Sequence, residues 1–195
     1  MTGRTMTGER LGVTRLDTAT HEHWKAAMAR HQAHGPSNSD GILDLIRRSE
    51  GYRTFDIDNL THLLQTATRA ERAGASEEVV LAALLHDVTA PFALYNHAET
   101  AAQIVAPHVG PDIVAVVRTH QDFQGRYYFQ HFGGDVDKHL VHAGEPWYDL
   151  AVEFSDEWDQ CSFDPDYPTL PLEHFEPLVR DYCDRQWGVA PGLDL

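Results

Sequence analysis

Apolar positions recur along the chain at three- and four-residue intervals, and no segment alternates convincingly with period two, so the pattern predicts an all-α fold. A helix is expected over Thr18 to His34, with Trp24, Ala27, Met28 and His31 near one face. Gly35-Pro36-Ser37-Asn38-Ser39 then breaks the chain. Asp40 reads as the cap of a short helix carrying Ile42, Leu43, Leu45 and Ile46. Leu60 to about Ala73 places Leu63, Leu64, Ala67 and Ala70 on helical spacing, and Gly74 is a natural stop. Ser76 is a good N-cap for a helix running to about Asp87 through the unbroken apolar stretch Val79 to Leu85. Asn96 with Glu99 reads as a capping box for a helix to about Pro107. Gly110-Pro111 opens another, ending near His120. Tyr127 to Gly144 is aromatic- and glycine-rich with weak periodicity. Two more helices are expected, Pro146 to about Gln160 and Glu173 to about Trp187.

This makes one helical bundle over residues 40–188, with 1–39 as a leader holding one possible helix and 189–195 as a tail. A chain of 195 residues is long enough to bury one sizeable core. Thirty Asp and Glu against fifteen Lys and Arg give a net charge of -15. That excludes the clustered positive charge needed for nucleic acid or an anionic membrane surface. No apolar run is long enough to span a bilayer, and the polar N-terminus does not read as a secretory signal. Two cysteines without a CxxC spacing make a reducing cytoplasm the expected location. A monomer or small homo-oligomer is expected.

Composition changes the picture at one point, the thirteen histidines. In the helical hairpin turning near Ala75, His62 and His86 lie at roughly equal distances from the turn, so at about 1.5 Å rise per residue their rings share a height. His97 and His120 do the same about a turn near Val109. Asp87 follows His86 directly. Facing helices of a bundle build metal sites in this way, and mixed imidazole and carboxylate ligands suit Fe, Mn or Zn. Asp87, with two oxygens, can bridge two metals. A further carboxylate is expected from the late helix holding Asp149, Glu153, Asp156, Glu157 and Asp159. The remaining histidines at 21, 23, 31, 34, 108, 139, 142 and 174 show no ligand partners and read as surface or leader residues.

The ordered series His62, His86-Asp87, His97, His120 and a late Asp resembles the HD-domain superfamily, with Leu84-Leu85-His86-Asp87 similar to its signature. The superfamily holds metal-dependent phosphohydrolases and a smaller oxygenase branch. Asp56-Ile57-Asp58 through His62-Leu63-Leu64-Gln65-Thr66-Ala67, Val117-Arg118-Thr119-His120 with Gly133-Gly134-Asp135, and Trp158-Asp159 resemble segments of myo-inositol oxygenase in that branch. The resemblance implies His62, His86, Asp87 and Asp159 around one iron and Asp87, His97 and His120 around the other. Asp159 is taken from the Trp-Asp match, with Asp156 as the alternative. It also implies a mixed-valent Fe(II)/Fe(III) pair, with Mn or Mg as the alternative metals. A small hydroxylated substrate and O2 would react there, the carbon bearing the hydroxyl losing a hydrogen and C–C or C–X cleavage following.

Val88-Thr89-Ala90-Pro91 follows the signature where oxygenases of this type carry Gly and then Lys or His. Asp156 stands where phosphonate-cleaving relatives tend to place an arginine. Two missing cations argue against a phosphonate or phosphate substrate and for a neutral polyol, or a substrate whose cationic group faces Asp156. Tyr52 is a candidate cover for the iron, although Phe55 replaces the glutamate that accompanies it in those relatives. Arg118, Arg126, His131 and Lys138 are candidate hydrogen-bond donors to substrate. Tyr127, Tyr128 and Phe129 read as core, with a pocket wall as the alternative. A metal-dependent phosphohydrolase and a metal-stapled binding module remain as competing functions.

Overall fold

Two antiparallel helical hairpins form the frame of the larger of two compact units, one of α3 (Asn59–Arg72) with α4 (Glu77–Leu85) and one of α6 (His97–Val105) with α7 (Pro111–Gln124). The computed structural model describes residues 10–34 and 38–185. Residues 10–34 belong to one unit, which holds a single 3₁₀ turn at Leu16–Thr18 and helix α1, His21–His34. The other unit is Asn38–Trp187. In it follow α2 (Asn38–Arg47), a two-stranded hairpin of β1 (Arg53–Thr54) and β2 (Ile57–Asp58), α3 (Asn59–Arg72) and α4 (Glu77–Leu85). Then come α5 (Ala90–Ala93), α6 (His97–Val105), α7 (Pro111–Gln124), three 3₁₀ turns, α8 (Tyr148–Glu153) and α9 (Leu172–Cys183). The all-α expectation holds, with four β residues as the exception among those described.

The hairpin that carries His62 and His86 is set by local chemistry at both ends of α3. Asp58 caps it, accepting from Thr61 N at 2.9 Å and Thr61 Oγ1 at 2.8 Å. At the other end Gly74 takes φ +80°, while Gly74 N donates to Glu71 O and Ala75 N to Ala70 O. That bond pair is the Schellman closure, and its left-handed position suits glycine. Ser76 then accepts from Val79 N, as expected. Every residue of α4 from Val79 to Leu85 is buried, so this helix is apolar all round and runs through the middle of the core. It is walled by Leu63, Ala67 and Ala70 of α3, Ala101, Ala102 and Val105 of α6, Val114 and Val117 of α7, and Phe175 and Val179 of α9.

Several local expectations fail for identifiable reasons. Asp40 does not cap α2, since the helix already includes Asn38; Asp184 accepts from Ser39 N at 3.0 Å instead, and Asp40 pairs with Arg180. Asn96 makes no side-chain cap, and Glu99 is drawn to Arg118 and Gln103 rather than to the helix start. α7 continues four residues past His120. After α8 the backbone widens into a π-helix over Phe154–Asp159, closed by Gln160 N to Ser155 O at 3.1 Å. α9 ends at Cys183, short of the expected end near Trp187, and the tail 189–195 lies outside the described residues.

Partial burial of Asp58 opposes its charge, but hydrogen bonds from Gly51 and Thr61, with Arg53 nearby, hold its pKa below the usual carboxylate value. Such a group stabilises the fold above the unfolded pKa of about 3.9 and loses that contribution as pH falls. Asp58→Ala is expected to cost about 1 kcal/mol at neutral pH, and the gap to wild type should close below about pH 4. Urea denaturation across pH measures both.

Candidate metal centre

Each of the six residues singled out from the sequence reaches one small volume. His62 sits at the end of the first turn of α3, His86 and Asp87 follow α4, His97 opens α6, His120 lies in the last part of α7, and Asp159 ends the π-helical segment. The π-helix delivers Asp159, not Asp156, to the histidines: Asp159 is fully buried, with Oδ1 3.3 Å from His62 Nε2 and 3.5 Å from His86 Nε2. His62 Nε2 and His86 Nε2 are 3.1 Å apart. A second trio matches the first, with Asp87 Oδ1 3.0 Å from His97 Nε2 and 3.1 Å from His120 Nε2, and those two nitrogens 3.3 Å apart. The other oxygen of Asp87, Oδ2, lies 3.8 Å from both His62 Nε2 and His86 Nε2. One carboxylate therefore presents one oxygen to each histidine pair.

A sequence model of the HD domain family matches residues 59–162, more than half of the chain and all six of these positions. The chain belongs to the HD domain family. It is also similar to a protein of Leisingera caerulea named (1-hydroxy-2-(trimethylamino)ethyl)phosphonate dioxygenase (glycine-betaine-forming). The two are 29% identical over 76% of this chain and 90% of that protein. Family and relative together make this a metal-dependent HD-domain enzyme.

The donor set of this HD domain fits a pair of metal ions. Each Nδ1 is tied to a backbone carbonyl: His62 to Ser162 at 2.9 Å, His86 to Ala83 at 2.8 Å, His97 to Leu94 at 2.7 Å and His120 to Val117 at 2.7 Å. A carbonyl only accepts, so each Nδ1 carries a proton, and each ring in its neutral form turns an Nε2 lone pair inward. Two lone pairs at 3.1 or 3.3 Å repel unless a proton or a metal cation lies against both. Donors about 2.1 Å from one ion stand about 3.0–3.4 Å apart in octahedral or tetrahedral arrangements, and the trios' edges of 3.0–3.5 Å are close to that size. Asp87 Oδ1 and Asp159 Oδ2 are buried without a hydrogen-bond partner, which would be costly for carboxylates left alone. His86, Asp87 and His120 also lie within 4.8 Å of one another, tying the trios into one cluster.

The charges point the same way. Burial works against a proton on His86, yet Asp87 and Asp159 outweigh it and raise its pKa to about 9. Burial opposes the charge on Asp87 and Asp159 too, but the surrounding histidines hold both well below the usual value. A metal cation satisfies those carboxylates in place of protons.

Three neighbours escaped the sequence reading. Gln124 donates from Nε2 to Asp159 Oδ1 at 2.9 Å; the clue was its position one turn after His120 on the same face. Phe163 stacks on His62 at 4.5 Å between ring centroids, and Phe154 meets His86 edge-on at 5.4 Å. Nothing in their spacing marked them.

The candidate substrate residues are placed differently. Arg126 pairs with Asp156, which also accepts from Tyr127 Oη at 2.7 Å, so Asp156 is not an open seat for a cation. Lys138 pairs with Asp122 at 2.6 Å and Arg118 with Glu99 at 2.9 Å. Among the described residues no hydrogen bond or ring contact joins the Tyr52 side chain to the cluster; its carbonyl accepts from Asn59 N, and Asn59 Nδ2 donates to Asp87 O at 2.9 Å. His131 lies exposed on the loop after α7. His139 is buried rather than at the surface, and His142 stacks on Phe123 and bonds Asp122. Tyr127, Tyr128 and Phe129 are not core, since none of them is buried.

Two outcomes follow. Metal uptake by chelator-stripped protein should release protons and tighten as pH rises toward about 9, because His86 must lose its proton to bind. Titration calorimetry in buffers of different ionisation enthalpy counts the protons. Gln124→Leu should weaken the site containing Asp159 by about 10–100-fold without unfolding the protein, read by competition with a chelating dye.

Proposed function

We propose that the protein is an HD-domain oxygenase. In this reading a non-heme diiron centre, held by His62, His86, Asp87, His97, His120 and Asp159, uses O2 to oxidise a small hydroxylated substrate. Cleavage of a C–C or C–X bond would accompany the oxidation. The observation that carries it is the Asp87 carboxylate facing one histidine pair with each oxygen, together with a donor set of four imidazoles and two carboxylates. Such nitrogen-rich mixed sites favour iron over magnesium.

When bound, the metal pair supplies Lewis acidity toward an alcohol oxygen and a one-electron couple for O2. The chain's part is to fix and protect that pair. Asp87 sets the spacing between the two halves, and the four Nδ1–carbonyl bonds hold the rings against rotation. Gln124 steadies Asp159, while Phe154 and Phe163 cover the His86 and His62 rings with apolar surface.

The relative's printed name describes a substrate with a hydroxyl, a phosphonate and a trimethylamino group. The hydroxyl agrees with the class expected here. From that name we carry over the methylated ammonium as well. The phosphonate runs against the charge pattern of this chain, because Arg126 and Lys138 are each engaged by a carboxylate. The same pairing weakens the phosphohydrolase alternative, which needs cations free to stabilise an anionic transition state.

Oxygen uptake by iron-loaded protein tests the proposal, using small alcohols that carry a trimethylammonium group with and without a phosphonate. Consumption of O2 with at least one of them is expected, falling about a hundredfold or more in Asp87→Ala. Hydrolysis of phosphate monoesters by the manganese form, with no O2 uptake by the iron form, would overturn it.

A further inference from the structure

Asp156 and Asp159 share the π-helical segment Phe154–Asp159, yet their side chains take different partners. Asp159 enters the metal cluster, where Gln124 Nε2 donates to its Oδ1 at 2.9 Å. Asp156 meets the turn that follows α7: its Oδ1 accepts from Arg126 Nη2 and, at 2.7 Å, from Tyr127 Oη. Gln124, Arg126 and Tyr127, nearly consecutive in the chain, therefore grip both carboxylates of one short segment.

The grip on Asp156 is built on both sides. Arg126 Nε donates to Phe123 O at 3.1 Å, which fixes the guanidinium to the end of its own helix. The Asp156 carbonyl accepts from Gln160 Nε2 at 3.0 Å and Cys161 Sγ at 3.4 Å, so backbone and side chain are both held. The Arg126 and Asp156 side chains are only 24% and 28% exposed, and solvent screens such a pair less than one on the open surface. π-Helical turns are rare and occur mostly as single turns. This one has an ion pair across it.

What the segment carries is one-sided. Asp159 serves the His62–His86 pair. Just beyond it, Ser162 O accepts from His62 Nδ1 at 2.9 Å. Ser162 is tied back to the segment, its N donating to Asp159 O at 2.9 Å and its Oγ to Trp158 O at 2.6 Å. The other trio draws nothing from this stretch. Asp87, His97 and His120 come from other elements, and the ring anchors of the two histidines are Leu94 O and Val117 O. A shift of the π-helical segment would move Asp159 and the anchor of His62 and leave the His97–His120 side alone.

We propose that the Arg126–Asp156 pair is a positioning device for one metal site of the two. It holds the π-helical turn in register and so sets Asp159 and His62 against their metal, while the site of His97 and His120 does not depend on it. Neither Arg126 nor Asp156 is a ligand. The inference rests on the two-metal reading of the cluster and is independent of the chemistry done there.

Two single-site proteins separate the halves. His97→Ala retains His62, His86, Asp87 and Asp159, and His62→Ala retains Asp87, His97 and His120. Mn(II) binding to each full-length protein is read from the EPR signal of the free ion. Adding Asp156→Ala is expected to weaken Mn(II) about tenfold in the first protein and by less than about twofold in the second. Arg126→Ala should match Asp156→Ala, and the double variant should be no worse than either, because both act through one contact. Arg126→Lys keeps the charge without the planar fork and should recover part of the affinity. In the otherwise unaltered protein, Asp156→Ala should weaken one Mn(II) equivalent and spare the other, which keeps the test decisive if a single-site protein fails to fold. Unchanged Mn(II) binding would overturn the proposal. So would equal weakening of both sites in step with a lower urea midpoint of the metal-free protein, the mark of a merely structural pair. Binding of a single Mn(II) by the unaltered protein would instead overturn the two-metal reading itself.

Discussion

Imidazole nitrogens held 3.1 and 3.3 Å apart repel unless a proton or a metal cation lies between them, and the folded chain holds two such pairs. Much of the architecture keeps them there. Four backbone carbonyls hold the protons on the outer nitrogens, and three of those carbonyls sit three residues before their histidine. The fourth, Ser162 O, comes from the far side of the sequence and joins the stretch just after the π-helical segment to α3. A metal cation against each pair would turn this repulsion into ligation, and Asp87 would join the two cations into one centre.

The core is arranged to make that geometry rigid. α4 is apolar on every side, so its C-terminal end, with His86 and Asp87, is delivered into the middle of the bundle. Small buried residues on the flanking helices, Ala67 and Ala70 on α3 and Ala101 and Ala102 on α6, share one core with α4. The cost of burying so many polar groups is met in part by the Nδ1–carbonyl bonds and the bond from Gln124 to Asp159, and metal cations would meet the rest. This also explains why a chain with such an excess of acidic residues can carry two more carboxylates inside.

The helical hairpins were legible from the sequence because their signals are local. The Ser76 side chain, Gly74 and the apolar run of α4 act within a few residues, and the equal heights of His62 with His86 and His97 with His120 follow from helix rise alone. What stayed hidden depends on long-range partners. Asp184 satisfying Ser39, and Arg118 drawing Glu99 out of a cap, are set by tertiary packing. The π-helix has no periodic signature, so the choice of Asp159 over Asp156 rested on resemblance and not on helix geometry. The pairing of Arg126 with Asp156 and Lys138 with Asp122 was equally invisible, and it changes how a substrate could be held.

The central claim is that Asp87 joins two metal sites into one centre. Iron content and low-temperature EPR of anaerobically prepared, half-reduced protein test it most directly. The account predicts about two irons per chain and a coupled Fe(II)/Fe(III) signal that disappears on full reduction. One iron per chain, or two irons with only the signal of isolated Fe(III), would contradict it.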